Sequence, residues 1–125
     1  MGYPIDDGYH MPPEWAPHKR CWMAWPSPSP TFPNLTASRN AYAEVARAIA
    51  RFEPVTMIAN PEDVPDTVAR CGENVEVLAL EIDDAWTRDT GPTFLVDGRG
   101  GLGGVDWPFN NYGEIDPNYE NDRLV

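Results

Sequence analysis

The sequence predicts an α/β fold with a mixed β-sheet in one domain of 125 residues. Short apolar runs typical of buried strands alternate with two helical patterns, and a strand that follows a helix indicates a βαβ unit. The 14 prolines and 10 glycines indicate many turns and few long helices. With 42% apolar residues, a chain of this length can bury one modest core.

The N-terminal third begins with an irregular arm. Residues 1–19 are rich in proline, glycine and polar groups, which predicts little regular structure. Residues 21–25 form an apolar run that Pro26 stops, which predicts a buried strand. Residues 26–33 contain four prolines and therefore predict an ordered loop or an extended linker.

A helical pattern covers residues 38–52 and predicts the best helix of the chain. Thr36 or Ser38 is its expected N-cap. The helix is expected to end before Pro54, and residues 55–59 follow as a second strand. The apolar stripe that should face the core consists of side chains at helical spacing: Tyr42, Val45, Ala46, Ile49 and Phe52.

A second helix and a third strand come next. Residues 60–63 resemble a helix start, but Pro65 lacks the N–H that a continuous helix would need there. We therefore expect a turn followed by a short helix over residues 64–70, which Gly72 ends. Residues 75–80 predict the third strand.

Two further strands are predicted over residues 93–96 and 102–107, before a polar and aromatic tail that begins at Pro108. Between the strands, residues 98–103 match the G-x-G-x-x-G pattern of dinucleotide-binding loops. That fingerprint requires a helix at its third glycine, whereas a strand-like segment follows here. A glycine-rich hairpin turn is the better interpretation.

Charge and cysteine content narrow the function. The net charge of −11 repels nucleic acid and anionic membranes, and it attracts cationic ligands. No apolar run has the length of a membrane span or of a signal-peptide core, so we expect a cytoplasmic protein. Cys21 and Cys71 form no CxxC pair and are expected to be free thiols, although a disulfide between them is possible.

Residues 82–92, the acidic loop, are the main functional candidate, since three carboxylates, an indole and a guanidinium stand within eleven residues. A carboxylate can accept two parallel N–H bonds from a planar cation, and a Trp can cover the flat face of that cation. Asp89 and Trp86 are the principal candidates for this role. The alternative is a solvated turn in which Arg88 pairs with one of the aspartates.

Two features favour a binding site over a plain turn. Trp86 is costly to expose in a mere turn, and the Thr-Gly-Pro exit of residues 90–92 should hold Asp89 in place. Metal binding is less favoured, because Asp83, Asp84 and Asp89 lack calcium-loop spacing and have no His nearby. We predict neither a metal nor another cofactor.

Four motifs occur in one order along the chain: Met-Pro-Pro-Glu-Trp-Ala-Pro-His (residues 11–18), Trp-Met-Ala-Trp-Pro (22–26), Asp-Asp-Ala-Trp-Thr-Arg-Asp-Thr-Gly-Pro (83–92) and Gly-Val-Asp-Trp-Pro-Phe-Asn (104–110). Together they resemble the N-terminal part of the agmatine deiminase family, the bacterial-type peptidylarginine deiminase group of the guanidine-modifying, or pentein, superfamily. The resemblance covers nearly the whole chain. It implies one ββαβ-type module of a five-bladed α/β propeller, so that residues 1–125 form a partial domain.

The resemblance also implies a reaction. Family members hydrolyse agmatine to N-carbamoylputrescine and ammonia, a step of putrescine biosynthesis. A Cys thiolate attacks the guanidinium carbon, a His moves protons, and two carboxylates orient the substrate. Asp89 matches the first of these carboxylates, Trp86 matches the Trp of the substrate channel, and Asp84 is a further candidate contact.

Three departures from the family pattern limit this expectation. The Gly-x-His-x-Asp motif and the Gly-rich His-Cys motif of the family do not occur in these residues, so the chain alone should be inactive. Its partner is then the rest of the propeller or another copy in an oligomer. Where many relatives have Trp-Gly-Gly, residues 110–114 read Asn-Asn-Tyr-Gly-Glu, which bears on the choice between agmatine and peptidyl arginine. A non-catalytic guanidinium-binding or assembly module is the alternative.

Overall fold

Three parallel strands form the main sheet of the structure, a computed structural model that describes residues 2–114 and 118–125. Strand β1 spans Cys21–Ala24, β2 spans Val55–Ala59 and β3 spans Val75–Ala79, with β2 in the middle. Each crossover between neighbouring strands contains a helix, as parallel pairing requires. The predicted α/β class is confirmed.

Helices α1 (Leu35–Ile49) and α2 (Val64–Cys71) supply these crossovers and cover the sheet. All five residues of β2 are buried, which is typical of a central parallel strand. The main core cluster lies between the sheet and the helices and consists of Trp25, Ala43, Ala46, Val55, Met57, Ala59, Cys71 and Val75.

The ends of α1 differ from the prediction. Its N-cap is Asn34, whose side-chain oxygen accepts a 3.1 Å hydrogen bond from the amide of Ala37. Thr36 and Ser38 are therefore wrong as caps, because the helix already begins at Leu35. It also ends before Phe52, which is 85% exposed, because the chain must turn there to enter β2.

The segment from Asn60 to Gly72 confirms the predicted turn and short helix. Pro61–Asp63 forms a 3₁₀ turn, α2 begins at Val64, and Gly72 follows it with a positive φ of 81°. That φ favours glycine and ends the helix cleanly.

A two-stranded antiparallel sheet follows, made of β4 (Thr93–Val96) and β5 (Leu102–Val105). Parallel and antiparallel strands thus lie in two small sheets of the described residues rather than in one. The glycine-rich turn between β4 and β5 is the predicted hairpin. The carboxylate of Asp97 holds it by accepting the amides of Arg99 and Gly101, each at 2.8 Å.

The N-terminal arm reaches the second sheet. Its one element in residues 2–19 is a 3₁₀ turn over Pro4–Asp7, and His10 forms a bridge with Val96. Met1 and residues 115–117 lie outside the described residues, so the predictions for the arm and the tail are not compared there. None of the described helices combines the length and the apolar character needed to cross a bilayer.

Candidate functional site

The acidic loop begins just beyond the carboxyl end of β3, on the edge of a parallel sheet where ligands commonly bind. Its two apolar residues anchor it, since Ile82 is 3% and Ala85 8% exposed, in a second core cluster with Ala24 and Ile58. The side-chain oxygen of Asn60 also accepts a 2.9 Å bond from the amide of Ile82. The loop is therefore fixed to the sheet.

A single helical turn, α3 (Thr87–Thr90), carries Asp89. The carbonyl of Trp86 accepts bonds of 3.0 Å from the amides of Asp89 and Thr90 and from the Thr90 hydroxyl. A Cβ on Gly91 would lie 2.7 Å from the carbonyl oxygen of Thr87, so only glycine fits this close approach. The turn and its exit hold Asp89 in one place.

The two principal predicted residues face solvent. Asp89 is exposed, and Trp86 is 42% exposed three residues before it. An exposed indole and an exposed carboxylate are the kinds of side chain that a flat cation can contact. Their role stays a prediction, and the geometry is compatible with it.

Tyr112 is a third side chain near this site; the sequence analysis noted residues 110–114 as a departure from the family pattern but did not single out Tyr112. Burial and a hydrogen bond to Asp89 raise the pKa of Tyr112, and the charges of Asp89, Asp84 and Asp122 act in the same direction. Tyr112 follows Asp89 by 23 residues, and no local pattern indicated that the two would meet.

Asp84 stabilises the acidic loop itself. One carboxylate oxygen accepts the amide of Ala85 and the other accepts the hydroxyl of Thr31, both at 2.7 Å. These bonds fix the loop to the proline-rich segment that precedes α1. Asp84 is half-buried and adds negative charge near Tyr112, and its contact with a ligand stays a prediction.

Asp83 takes part in a reciprocal clamp with the last described segment of the chain. Its carboxylate accepts the backbone amide of Asn121 at 2.9 Å and the side-chain amide of Asn121 at 3.0 Å. In return, the carboxylate of Asp122 accepts the backbone amides of Asp83 and Asp84 at 2.7 and 3.1 Å. The clamp joins residues separated by nearly forty positions.

Asp122 is 2% exposed, and this burial raises its pKa, while the two amide bonds act in the opposite direction. A buried carboxylate is costly unless donors satisfy it, which the two amides do. Sequence reasoning missed Asp122 because a lone Asp in a polar tail carries no local signal.

Arg88 does not pair with an aspartate of the loop, so the solvated-turn alternative is wrong in that respect. Its guanidinium lies 2.6 Å from Glu14 of the arm, and both side chains are mostly exposed. This pair lines a groove of about 450 Å³ between the arm and β4, which Trp86, Asp84 and Asp89 do not line. The groove and the candidate site are separate features.

Both cysteines are free thiols, with Cys71 buried and Cys21 half-buried. Burial raises the pKa of each thiol, which disfavours the nucleophilic thiolate. Within residues 2–114 and 118–125, no group of three or more His, Cys, Asp or Glu side chains could hold a metal ion.

Comparison with known proteins gives consistent matches. The family described as Porphyromonas-type peptidyl-arginine deiminase matches residues 10–125. An agmatine deiminase of Stutzerimonas stutzeri is 50% identical over 115 residues, which are 90% of this chain and 31% of the relative. One from Pseudomonas aeruginosa is 46% identical over 112 residues, 88% of this chain and 30% of that protein.

The fold matches solved structures equally well. The agmatine deiminase of Enterococcus faecalis superposes with a TM-score of 0.92 at 30% identity, covering 98% of this chain and 35% of that one. The C315S variant of a C. jejuni agmatine deiminase with substrate bound gives a TM-score of 0.81 at 26% identity, over 94% of this chain and 34% of that one. The chain thus spans about a third of the length of its relatives. The family match over residues 10–125 confirms the resemblance, and the chain belongs to the Porphyromonas-type peptidyl-arginine deiminase family.

Proposed function

We propose that this chain supplies the guanidinium-binding part of an agmatine deiminase-type hydrolase, which converts agmatine into N-carbamoylputrescine and ammonia as a step toward putrescine. One observation carries the proposal: Asp89 is exposed on a fixed turn, and Trp86, three residues before it in the sequence, is exposed as well. The relatives named agmatine deiminase support the substrate class.

The proposed chemistry of the site is orientation. An ionised Asp89 accepts two N–H bonds from the guanidinium, while Trp86 contacts the flat face of the cation. Such clamping holds the carbon that will be attacked in a single position. The net charge of −11 favours the approach of a doubly charged substrate such as agmatine.

We further propose that the reacting thiol and the proton-transferring His come from outside the described site. Burial raises the pKa of both Cys21 and Cys71, which suits neither for nucleophilic attack. The 125-residue chain should therefore bind agmatine without releasing ammonia. Ammonia release that Asp89→Ala abolishes would contradict this part of the proposal.

The source of the missing groups is the remainder of a propeller or a second copy in an oligomer. Several large apolar side chains support such a partner because they are strongly exposed: Met11, Trp15, Phe94 and Trp107. The net charge of −11 supports neither nucleic acid nor an anionic membrane as the partner. Free thiols support a reducing, cytoplasmic location.

Calorimetry with agmatine tests the binding proposal, with putrescine as a control that has the amine but no guanidinium. We expect agmatine to bind and putrescine to bind at least about tenfold more weakly, which corresponds to about 1.4 kcal/mol. Asp89→Asn should remove that preference because an amide cannot offer two anionic acceptors. Equal binding of both compounds would contradict the proposal.

Two alternatives remain testable. A non-catalytic binding or assembly module would bind agmatine and gain no activity when the rest of a family enzyme is supplied. A peptidyl-arginine deiminase would bind an arginine-containing peptide more tightly than agmatine, which the description of the matching family favours. The same calorimetry with a blocked arginine peptide separates the two substrates.

A further inference from the structure

The proline-rich segment over residues 26–33 is held against α1 at both of its ends. At its start, the carbonyl of Pro26 accepts a 3.0 Å hydrogen bond from the guanidinium of Arg39. Near its other end, the ring of Phe32 meets the ring of Tyr42 edge-to-face at 5.9 Å. The four prolines of the segment restrict its backbone further, since each fixes its own φ. The segment is therefore a fixed support beside α1.

Arg39 is itself held by several partners. Its guanidinium lies 2.7 Å from the carboxylate of Asp63 and 3.1 Å from that of Asp66, and only 12% of the Arg39 side chain is exposed. The guanidinium also lies over the ring of Trp25, 5.8 Å from the centroid. Because a guanidinium is planar and has five donors, it can bind two carboxylates and a carbonyl at once. The anchor of the proline-rich segment thus extends to the 3₁₀ turn and to α2.

Two hydroxyl groups connect this support to the acidic loop. Ser27, which is 4% exposed, donates to the backbone carbonyl of Asp83 at 2.8 Å. Thr31 donates to the carboxylate of Asp84 at 2.7 Å, and its own amide donates to the hydroxyl oxygen of Ser29 at 3.2 Å. A hydrogen bond to a carboxylate is stronger than one to a neutral carbonyl, so the Thr31 bond is the stronger connection.

The effect of Thr31 reaches the candidate site through Asp84. The carboxylate oxygen of Asp84 that Thr31 does not bind accepts the amide of Ala85 at 2.7 Å. The next residue is Trp86, whose carbonyl accepts the amide of Asp89 at 3.0 Å. Consecutive contacts therefore join Thr31 to both principal residues of the candidate site.

We propose that Thr31 is a positioning residue for guanidinium binding, which acts by holding Asp84 and, through it, Trp86 and Asp89. The inference rests on the proposed role of Asp89 in guanidinium binding. A loop that is free to move must lose conformational freedom when a ligand binds, and this loss weakens the binding. The Thr31 hydroxyl removes part of that cost beforehand, because the segment that carries it is already ordered.

The substitution Thr31→Val isolates the hydroxyl, because valine keeps the size and the branching of the side chain. We expect agmatine to bind about two- to tenfold more weakly to the full 125-residue chain, measured by calorimetry. The melting temperature should change little, since Thr31 is exposed. Thr31→Ser restores a hydroxyl and should restore the affinity, which a role in packing alone would not produce. The matched control is Thr36→Val on α1, which removes an exposed hydroxyl and should leave agmatine binding unchanged.

Hydrogen exchange tests the contact without a ligand. The backbone amide of Ala85 should exchange faster in Thr31→Val than in the wild type, because Asp84 is no longer held in place to accept it. Thr36→Val should leave this exchange unchanged. Equal exchange of the Ala85 amide in Thr31→Val and in the wild type would overturn the positioning role.

The outcomes of the binding experiment separate the two proposals. If agmatine binding depends on Asp89 but Thr31→Val binds as tightly as the wild type, the positioning role is overturned and the proposed function stands. The same conclusion follows if Thr31→Ser binds as weakly as Thr31→Val. If the wild type does not bind agmatine, or if Asp89→Asn binds it equally well, both proposals are overturned.

Discussion

The parallel sheet and the acidic loop are held in place by different forces. In the sheet, every residue of β2 is buried, and its Val55, Met57 and Ala59 lie in the main core cluster, so apolar burial dominates. In the loop, Ile82 and Ala85 are the buried anchors. Hydrogen bonds donated by Thr31 and Asn121, and others accepted by the carboxylate of Asp122, fix the remainder. Apolar packing makes a rigid support here, and polar contacts leave carboxylates at the surface for binding.

A substitution in the centre of the parallel sheet should have the largest effect on the free energy of unfolding. Met57 is fully buried, and Met57→Ala should lower the free energy of unfolding by about 2–5 kcal/mol through lost transfer energy and a cavity. Denaturant unfolding measures this. Phe52→Ala is the control, because Phe52 is 85% exposed, and its effect should stay within about 0.5 kcal/mol. Equal losses would contradict the assignment of the core.

The Asp122 clamp is the corresponding test for the loop. Asp122→Ala leaves two partly buried amides without their acceptor, which should cost about 1–3 kcal/mol of unfolding free energy. Hydrogen exchange of the backbone amides of Asp83 and Asp84 should be faster in the same variant. Asp122→Asn retains an acceptor oxygen and should lose less. An Asp122→Ala variant with unchanged exchange would show that the clamp does not hold the loop.

Gly91 tests whether the turn itself fixes Asp89. Gly91→Ala places a methyl group 2.7 Å from the Thr87 carbonyl, so the turn must shift, at a cost of about 1–3 kcal/mol. We expect weaker agmatine binding as well as lower stability. Gly104→Ala in β5 is the control, since its nearest contact would be an ordinary 3.7 Å. Wild-type binding by Gly91→Ala would mean that the turn tolerates this shift.

The smallest expected effect is that of pH on the contacts of the N-terminal arm. His18 donates its ring N–H groups to the carbonyl of Ala16 at 3.1 Å and to the carboxylate of Glu53 at 2.5 Å, and these bonds raise its pKa. The pKa of His18 in the folded protein exceeds the unfolded value of 6.5. The contribution of these bonds to the stability of the fold is therefore complete below pH 6.5 and is lost as the pH rises through the folded pKa.

Proton NMR of the His18 ring measures this pKa directly. Glu53→Gln should lower it toward 6.5, because the amide carries no charge to favour the imidazolium. An identical His18 titration in both proteins would contradict the contact with Glu53.

Most of the fold could be predicted because its determinants are local. The bounds of β2 and β4 follow from short apolar runs between turn residues, and they agree with the structure residue by residue. The end of α1 was misplaced, since Phe52 continues the apolar period although the chain has already turned. Periodicity shows which side chains are apolar, whereas the residue at which the helix ends depends on where the chain must turn to enter the strand that follows.

The sequence alone could predict a candidate site, but it could not predict the contacts that hold that site in place. The density of carboxylates marked the loop and its candidate ligands, Asp89 and Trp86. The contacts that hold it come from Asn121, Asp122 and Thr31, at separations of 38 to 53 residues where no sequence period operates. Only the folded arrangement brings these polar groups together.

The most direct test of the central claim is an NMR titration of the chain with agmatine, read at the Trp86 indole and at the backbone amides. Millimolar affinity, about 4 kcal/mol, is sufficient to detect. The account predicts shifts at Trp86, Asp89 and Tyr112 that Asp89→Asn removes and that putrescine does not reproduce. Shifts confined to the arm groove around Glu14, or shifts that persist in Asp89→Asn, would contradict it.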